Sequence, residues 1–171
     1  MSKVIAVIAA HADDEVLGCG GAIAKFIDEG HSVHILLMAD GETSRSELDK
    51  SSYELAKEKR NTSAIKANKI LLSSSLTILE FPDNRMDGQD LLDVVKPIEK
   101  FIDEYKPEII ITHFAGDVNI DHQITNRAVI TACRPQPGHC VKKLLFMEVA
   151  SSTEWMPSSE KLNFNPNYFI D

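Results

Sequence analysis

The sequence predicts a three-layer α/β/α, Rossmann-like fold with a mainly parallel sheet, and three observations carry that expectation. Short apolar runs alternate with longer stretches of helical spacing along the 171 residues, the pattern of βαβ units with right-handed crossovers. The first run, Val4-Ile5-Ala6-Val7-Ile8, has the length of a buried parallel strand. Polar clusters follow the runs, and in folds of this class ligands bind beyond the carboxyl ends of the strands. One domain over residues 1–171 accounts for the whole chain, since a chain of this size buries roughly 70% of its unfolded surface.

Residues 3–9 read as the first strand and 18–29 as a helix, with Ala22, Ile23, Phe26 and Ile27 on one face and Gly30 as its stop. Residues 31–38 form the second strand, framed by His31 and His34, and the polar loop 40–45 follows it. Residues 47–72 have helical spacing, 76–81 are strand three, and Pro82-Asp83-Asn84-Arg85-Met86-Asp87-Gly88 is the next polar loop. A helix over 91–105 carries Pro97, where a kink is expected. Strand four covers 108–112 and runs into His113-Phe114-Ala115-Gly116-Asp117-Val118-Asn119-Ile120-Asp121-His122. An amphipathic helix over 122–133, a loop over 134–138 and a fifth strand over 143–149 complete the pattern, with a less regular end beyond Ala150.

Composition excludes more than it selects. A net charge of −8 and the lack of any basic run argue against nucleic-acid partners. Cys19, Cys133 and Cys140 form neither a disulfide framework nor a C-x-x-C pattern, so they read as reduced thiols in a cytoplasmic protein. The N-terminal apolar run breaks at His11, too early for a membrane span, and no membrane insertion is expected.

The chemistry concentrates in His11-Ala12-Asp13-Asp14-Glu15, where one imidazole and three carboxylates fall within five residues. Like charges this close repel unless a cation neutralises them. Two imidazoles, His11 and His122, with one carboxylate leave a fourth position open on a tetrahedral Zn²⁺, the arrangement of a catalytic ion. The residues alone do not decide which aspartate binds. A dinucleotide reading of Gly18, Gly20 and Gly21 fails, because Asp13, Asp14 and Glu15 stand where a pyrophosphate needs positive potential. Those glycines read instead as a tight turn and close helix packing.

His-Ala-Asp-Asp-Glu followed by Gly-Cys-Gly-Gly resembles the signature of the LmbE-like, or PIG-L, family of zinc-dependent N-deacetylases, whose usual form is His-Pro-Asp-Asp-Glu. Asp121-His122 matches that family's second motif, and Asp40-Gly41-Glu42, Arg60 and Pro82-Asp83 are further matches. The resemblance implies His11, Asp14 and His122 as ligands of one Zn²⁺ per chain, with another divalent ion such as Fe²⁺ suiting the same donors. It implies Asp13 as general base and Glu15 as a supporting carboxylate. Ala12 and Asn119 depart from the family pattern, the latter where many members carry a histidine that stabilises the tetrahedral intermediate. Either Asn119 donates there as a neutral group or His113 takes the charged role.

Asp40, Glu42, Asp83, Arg85 and Asp121 are candidate contacts for sugar hydroxyls or phosphate, with loop capping the competing role of such residues. Trp155 is a sugar-stacking or core residue, and the lone spacing of His139 beside Cys140, just before strand five, argues against reading them as a metal pair. The expected activity is removal of acetyl from an N-acetylglucosamine-type glycoside or a lipid- or nucleotide-linked precursor. The competing readings are a non-catalytic sugar-binding relative and a carboxylate/magnesium phosphohydrolase. Family members usually continue beyond this point, so the chain reads as truncated after Asp171 or covered there by a partner subunit of a homo-oligomer.

Overall fold

Val4–Ala9 forms β1, and its side chains are apolar on both faces because it is the middle strand of five. Ile5 to Ala9 have no exposed surface. The computed structural model describes residues 2–42, 44, 49–157 and 163–171. In chain order the elements are β1, α1 (Asp14–Asp28), β2 (Ser32–Ala39), α2 (Lys50–Leu71), β3 (Ser75–Phe81), α3 (Leu91–Tyr105), β4 (Ile109–His113), α4 (Ile120–Ala132) and β5 (Lys143–Met147). The strands lie in the order β3-β2-β1-β4-β5, and every pair is parallel. The expected α/β/α arrangement is therefore observed, with a fully parallel sheet.

Period-two alternation along the strands divides the core in two. Ile5, Val7, Val33, Ile35, Leu37 and Ile111 face Ile23 and Phe26 of α1 and Ala64 of α2. Ala6, Ile8, Leu36, Met38 and Ile110 face Val94, Ile98 and Phe101 of α3 and Val129 of α4. Each large side chain removed from water contributes roughly 1.5–3 kcal/mol, so the sheet is held from both sides.

Two boundaries differ from the sequence reading in ways that matter for the site. α1 begins at Asp14 rather than Gly18, because Asp14 and Glu15 in a first turn complement the helix dipole. α4 begins at Ile120, with Asn119 as its cap, which places His122 inside the first turn. The expected start of α2 at residues 47–48 lies outside the described residues, as do Thr43 and Arg45 of the preceding loop; within them, the Asp49 carboxylate accepts from the Ser51 and Ser52 amides to cap Lys50–Leu71. α3 runs through Pro97 as one helix.

Gly18 sets how closely α1 packs on the sheet edge. A Cβ there would lie 2.7 Å from Met147 Sδ and 3.1 Å from the Glu148 carbonyl oxygen. Gly18→Val is expected to lower stability by about 1–3 kcal/mol through overpacking, read as a reduced urea midpoint at unchanged m-value. An unchanged midpoint would show that α1 can shift away at no cost.

Candidate functional site

The chain leaves β1 for β2 on one side and later returns to pair β4 on the other, so the order reverses at β1/β4. α1, after β1, packs on one face of the sheet, and α4, after β4, packs on the opposite face. The loops diverge and leave a crevice at the strand ends, the position where open α/β sheets bind ligands.

The loop after β1 is held by its own carboxylates. Asp14 accepts the His11 amide at 2.8 Å, and Glu15 accepts the Asp13 amide at 3.0 Å. Glu15 also accepts from Asn68 of α2 at 3.0 Å, so it is a buried structural tie. Asp13 adopts φ 139°, ψ −28°, a strained conformation for a residue with a Cβ, and strain of this kind costs about 1–3 kcal/mol and collects at functional sites.

Across the crevice stand the two histidines. Asp14 Oδ2 lies 3.3 Å from His11 Nδ1 and 3.2 Å from His122 Nε2. The ligand atoms of His11, Asp14 and His122 converge closely enough to hold a metal ion, and all three residues are buried. One carboxylate and two imidazoles are the donor set of a catalytic zinc with an open position. His11, Asp83 and Asp121 also converge, but Asp121 is already occupied, accepting the Asn84 and Met86 amides at 2.6 and 3.0 Å.

Electrostatics follow from this crowding. Burial opposes charge on His11, but hydrogen bonds to Asp121, Asp14 and Asp83 outweigh it and raise its pKa to about 11. The same contest, won by Asp117 and Asp14, raises His122 to about 9. Asp14 is held well below the usual carboxylate range by His11 and His122 in spite of its burial. Asp13 moves the other way: burial and the charge of Asp14 raise it, with Arg60 opposing.

A cavity of about 230 Å³ lies over these groups, lined among others by Asp13, Asp14, Arg60, Asp83, Asn119 and Ser152. A second hollow of about 570 Å³ shares Asp13 and Arg60 with it and is walled by small apolar residues such as Ala12, Ala56, Ala64 and Ala67.

The structure sorts the expected site residues. His11, Asp13, Asp14, Asp83, Asn119 and His122 all line the smaller cavity. His113 does not. It ends β4 on the inward side, fully buried, stacked 3.8 Å from His122, with Nε2 accepting the Ala10 amide at 2.8 Å. Burial lowers its pKa to about 3, so the charged role considered for His113 is unsuited to its place. Arg85 is exposed and outside the cavity, and Asn84 lines it instead. Asp40 and Glu42 serve the loop after β2: Asp40 accepts from the Glu42 amide and Tyr53, and Glu42 pairs with Arg60 at 2.8 Å. Asp121 lies beneath the cavity with no exposed surface, 3.1 Å from His11 Nε2. Gly41, at φ +73°, lets Arg60 cross directly over it, since a Cβ would stand 2.6 Å from Arg60 Cδ.

Sequence reasoning missed Asp117, which contacts His122 Nδ1 at 3.1 Å, and Ser152, which donates to Asp117 at 2.9 Å. The pairing spans 35 residues, and no local pattern announces it.

Comparison with known proteins identifies the family. A family model described as PIG-L, GlcNAc-PI de-N-acetylase, matches residues 6–133. The uncharacterized deacetylase YaiS of Escherichia coli is 31% identical over 140 residues, covering 79% of this chain and 70% of that protein. A probable N-acetyl-alpha-D-glucosaminyl L-malate deacetylase 2 of Bacillus cereus is 28% identical over 141 residues, covering 80% of this chain and 64% of the relative. The crystal structure of GalB, the 4-carboxy-2-hydroxymuconate hydratase of Pseudomonas putida, superposes with a TM-score of 0.70 at 23% identity, over 86% of this chain and 63% of that one. At that identity the match shows the fold, and a shared fold does not carry a shared reaction.

Proposed function

Because the chain belongs to the PIG-L, GlcNAc-PI de-N-acetylase family, we propose that it is a metal-dependent N-deacetylase acting on an N-acetylated amino sugar. The observation that carries this reading is the convergence of His11, Asp14 and His122 on one point beneath a cavity that Asp13 also lines. Zinc, or iron(II), held by those three residues would polarise the amide carbonyl and acidify the attacking water.

The chain's own residues supply the rest. Asp13, with its pKa raised by burial and by Asp14, accepts the proton of the attacking water and returns it to the departing amine. Asn119 uses Oδ1 to accept the Asp121 amide at 2.8 Å as the cap of α4, which leaves its amide N–H groups to donate to the developing oxyanion. Arg60, Asp83 and Asn84 offer polar contacts to the sugar, and the neighbouring apolar hollow takes the remainder of a small glycoside or of a lipid- or nucleotide-linked precursor. Such substrates fit a cytoplasmic enzyme; among the described residues no helix is long and apolar enough to cross a membrane.

The direct test is acetate and free-amine release from a panel of N-acetylglucosamine glycosides by zinc-loaded protein. Phosphate release from sugar phosphates, or binding without turnover, would replace this reading by one of its competitors.

A pH dependence follows. With pKa values of about 11 and 9, His11 and His122 are both protonated at neutral pH in the metal-free chain, and a bound ion must displace those protons. Zinc titrated calorimetrically at pH 7 in buffers of different ionisation enthalpy is expected to release about two protons. Apparent affinity then rises with pH, levelling off only above about pH 11, where both histidines are already deprotonated. Release of none would overturn the double protonation of the metal-free site.

A further inference from the structure

His11 and His122 are each backed by carboxylates, and these come from different parts of the chain. His11 Nε2 faces Asp83 at 3.0 Å and Asp121 at 3.1 Å, which leaves Nδ1 for the ion. His122 is turned the opposite way: Nδ1 faces Asp117 Oδ2 at 3.1 Å and Nε2 faces Asp14. A carboxylate behind an imidazole fixes which nitrogen carries the proton and how the ring is aimed.

Asp117 has no exposed surface, and both of its oxygens are engaged. Oδ1 accepts the Asn119 amide at 2.8 Å. Oδ2 accepts from Ser152 at 2.9 Å and Thr153 at 2.6 Å besides facing His122. Ser152 Oγ itself lies 3.3 Å from His122 Nδ1. The turn that presents these hydroxyls is closed on itself: the Ser152 and Thr153 amides donate to the Val149 carbonyl at 2.9 and 2.8 Å, and the Val149 amide donates to Thr153 Oγ1 at 2.8 Å. Ser151 and Ser152 of that turn also line the cavity over the ligands.

We propose that Asp117 is a positioning residue of the metal centre, fixing the His122 ring so that Nε2 is presented to the ion, and joining that ring through Ser152 and Thr153 to the turn after β5. The inference rests on the metal-centre reading above and extends it to a part of the chain outside both motifs. An amide cannot do the same work. Asparagine at this position places its NH₂ either against the Asn119 N–H or against His122 Nδ1; in the second case the ring keeps its proton on Nε2, where the ion must bind.

The test is zinc affinity, by competition with a chromogenic chelator, and it needs no sugar. Asp117→Asn is expected to bind zinc about 10–100-fold more weakly than the parent. Thr153→Val keeps the carboxylate and Ser152 on His122 and removes only the tether; it is expected to lower the unfolding temperature with zinc affinity within about threefold of the parent, below that range. If Asp117 merely holds the turn, both variants lose stability alike and neither loses zinc. A second measurement needs no variant: ¹⁵N spectra of the zinc-loaded parent are expected to show His122 protonated at Nδ1, and zinc on Nδ1 would overturn the proposal. A parent that binds zinc but releases no acetate sinks only the deacetylase reading, whereas a parent that binds none overturns both.

Discussion

Asp13→Asn is expected to retain its metal and lose turnover by about 10²–10⁴-fold, the range for removal of a positioned general acid–base. The separation of the two effects is the informative part. Asp13 contributes no atom to the converging set of His11, Asp14 and His122, so an amide there leaves the ligands intact. Among the carboxylates that line the smaller cavity, burial and Asp14 raise its pKa while those of Asp14 and Asp83 fall. Asparagine keeps the shape and removes the proton acceptor. Metal content by elemental analysis and acetate release on the same preparation decide the matter: full turnover with metal retained would remove Asp13 from the mechanism.

His122→Ala carries the larger structural consequence. Removing the imidazole takes away one of the three proposed ligands, and metal content is expected to fall from about one ion per chain to near none, with activity lost in step. It also takes one partner from each of two buried carboxylates, since Asp14 and Asp117 lie 3.2 and 3.1 Å from the ring. Removing one member of a buried charge pair destabilises by up to about 3 kcal/mol, so the urea midpoint of the metal-free variant should fall as well. A variant that still binds one ion tightly would show that the β4 side of the crevice does not hold the metal.

Much of this was legible in the sequence, for identifiable reasons. β1, β2, β4 and β5 were readable because each contains an unbroken apolar run, β3 because Leu76, Ile78, Leu79 and Phe81 fall close together, and α3 because its apolar face repeats cleanly between Asp90 and Pro107. The position of the site was readable because its polar residues cluster at strand ends. The start of α1 was not, since Asp-Asp-Glu reads as loop when charge is counted and as a first helical turn only when the dipole is. His113 was legible in retrospect: every residue of β4 is buried, so a histidine that closes this interior strand is buried whichever face it takes. Asp117 was not legible at all, because its role depends on hydroxyls contributed from beyond β5, and sequence spacing carries no information about such a meeting.

The reversal of strand order at β1 and β4 governs when this site can exist as well as where it lies. His11 and His122 are 111 positions apart, and they meet only after β4 has paired with β1. Loop closure over such a span is entropically costly and is recovered late, by non-local contacts. β1, α1 and β2 can assemble from neighbouring sequence; the ligand set cannot. Metal capture at the proposed centre would therefore signal that the distant halves of the sheet have joined, and an ion bound there would act as a clasp between residues 111 positions apart, favouring the completed fold over every partial one by its binding free energy.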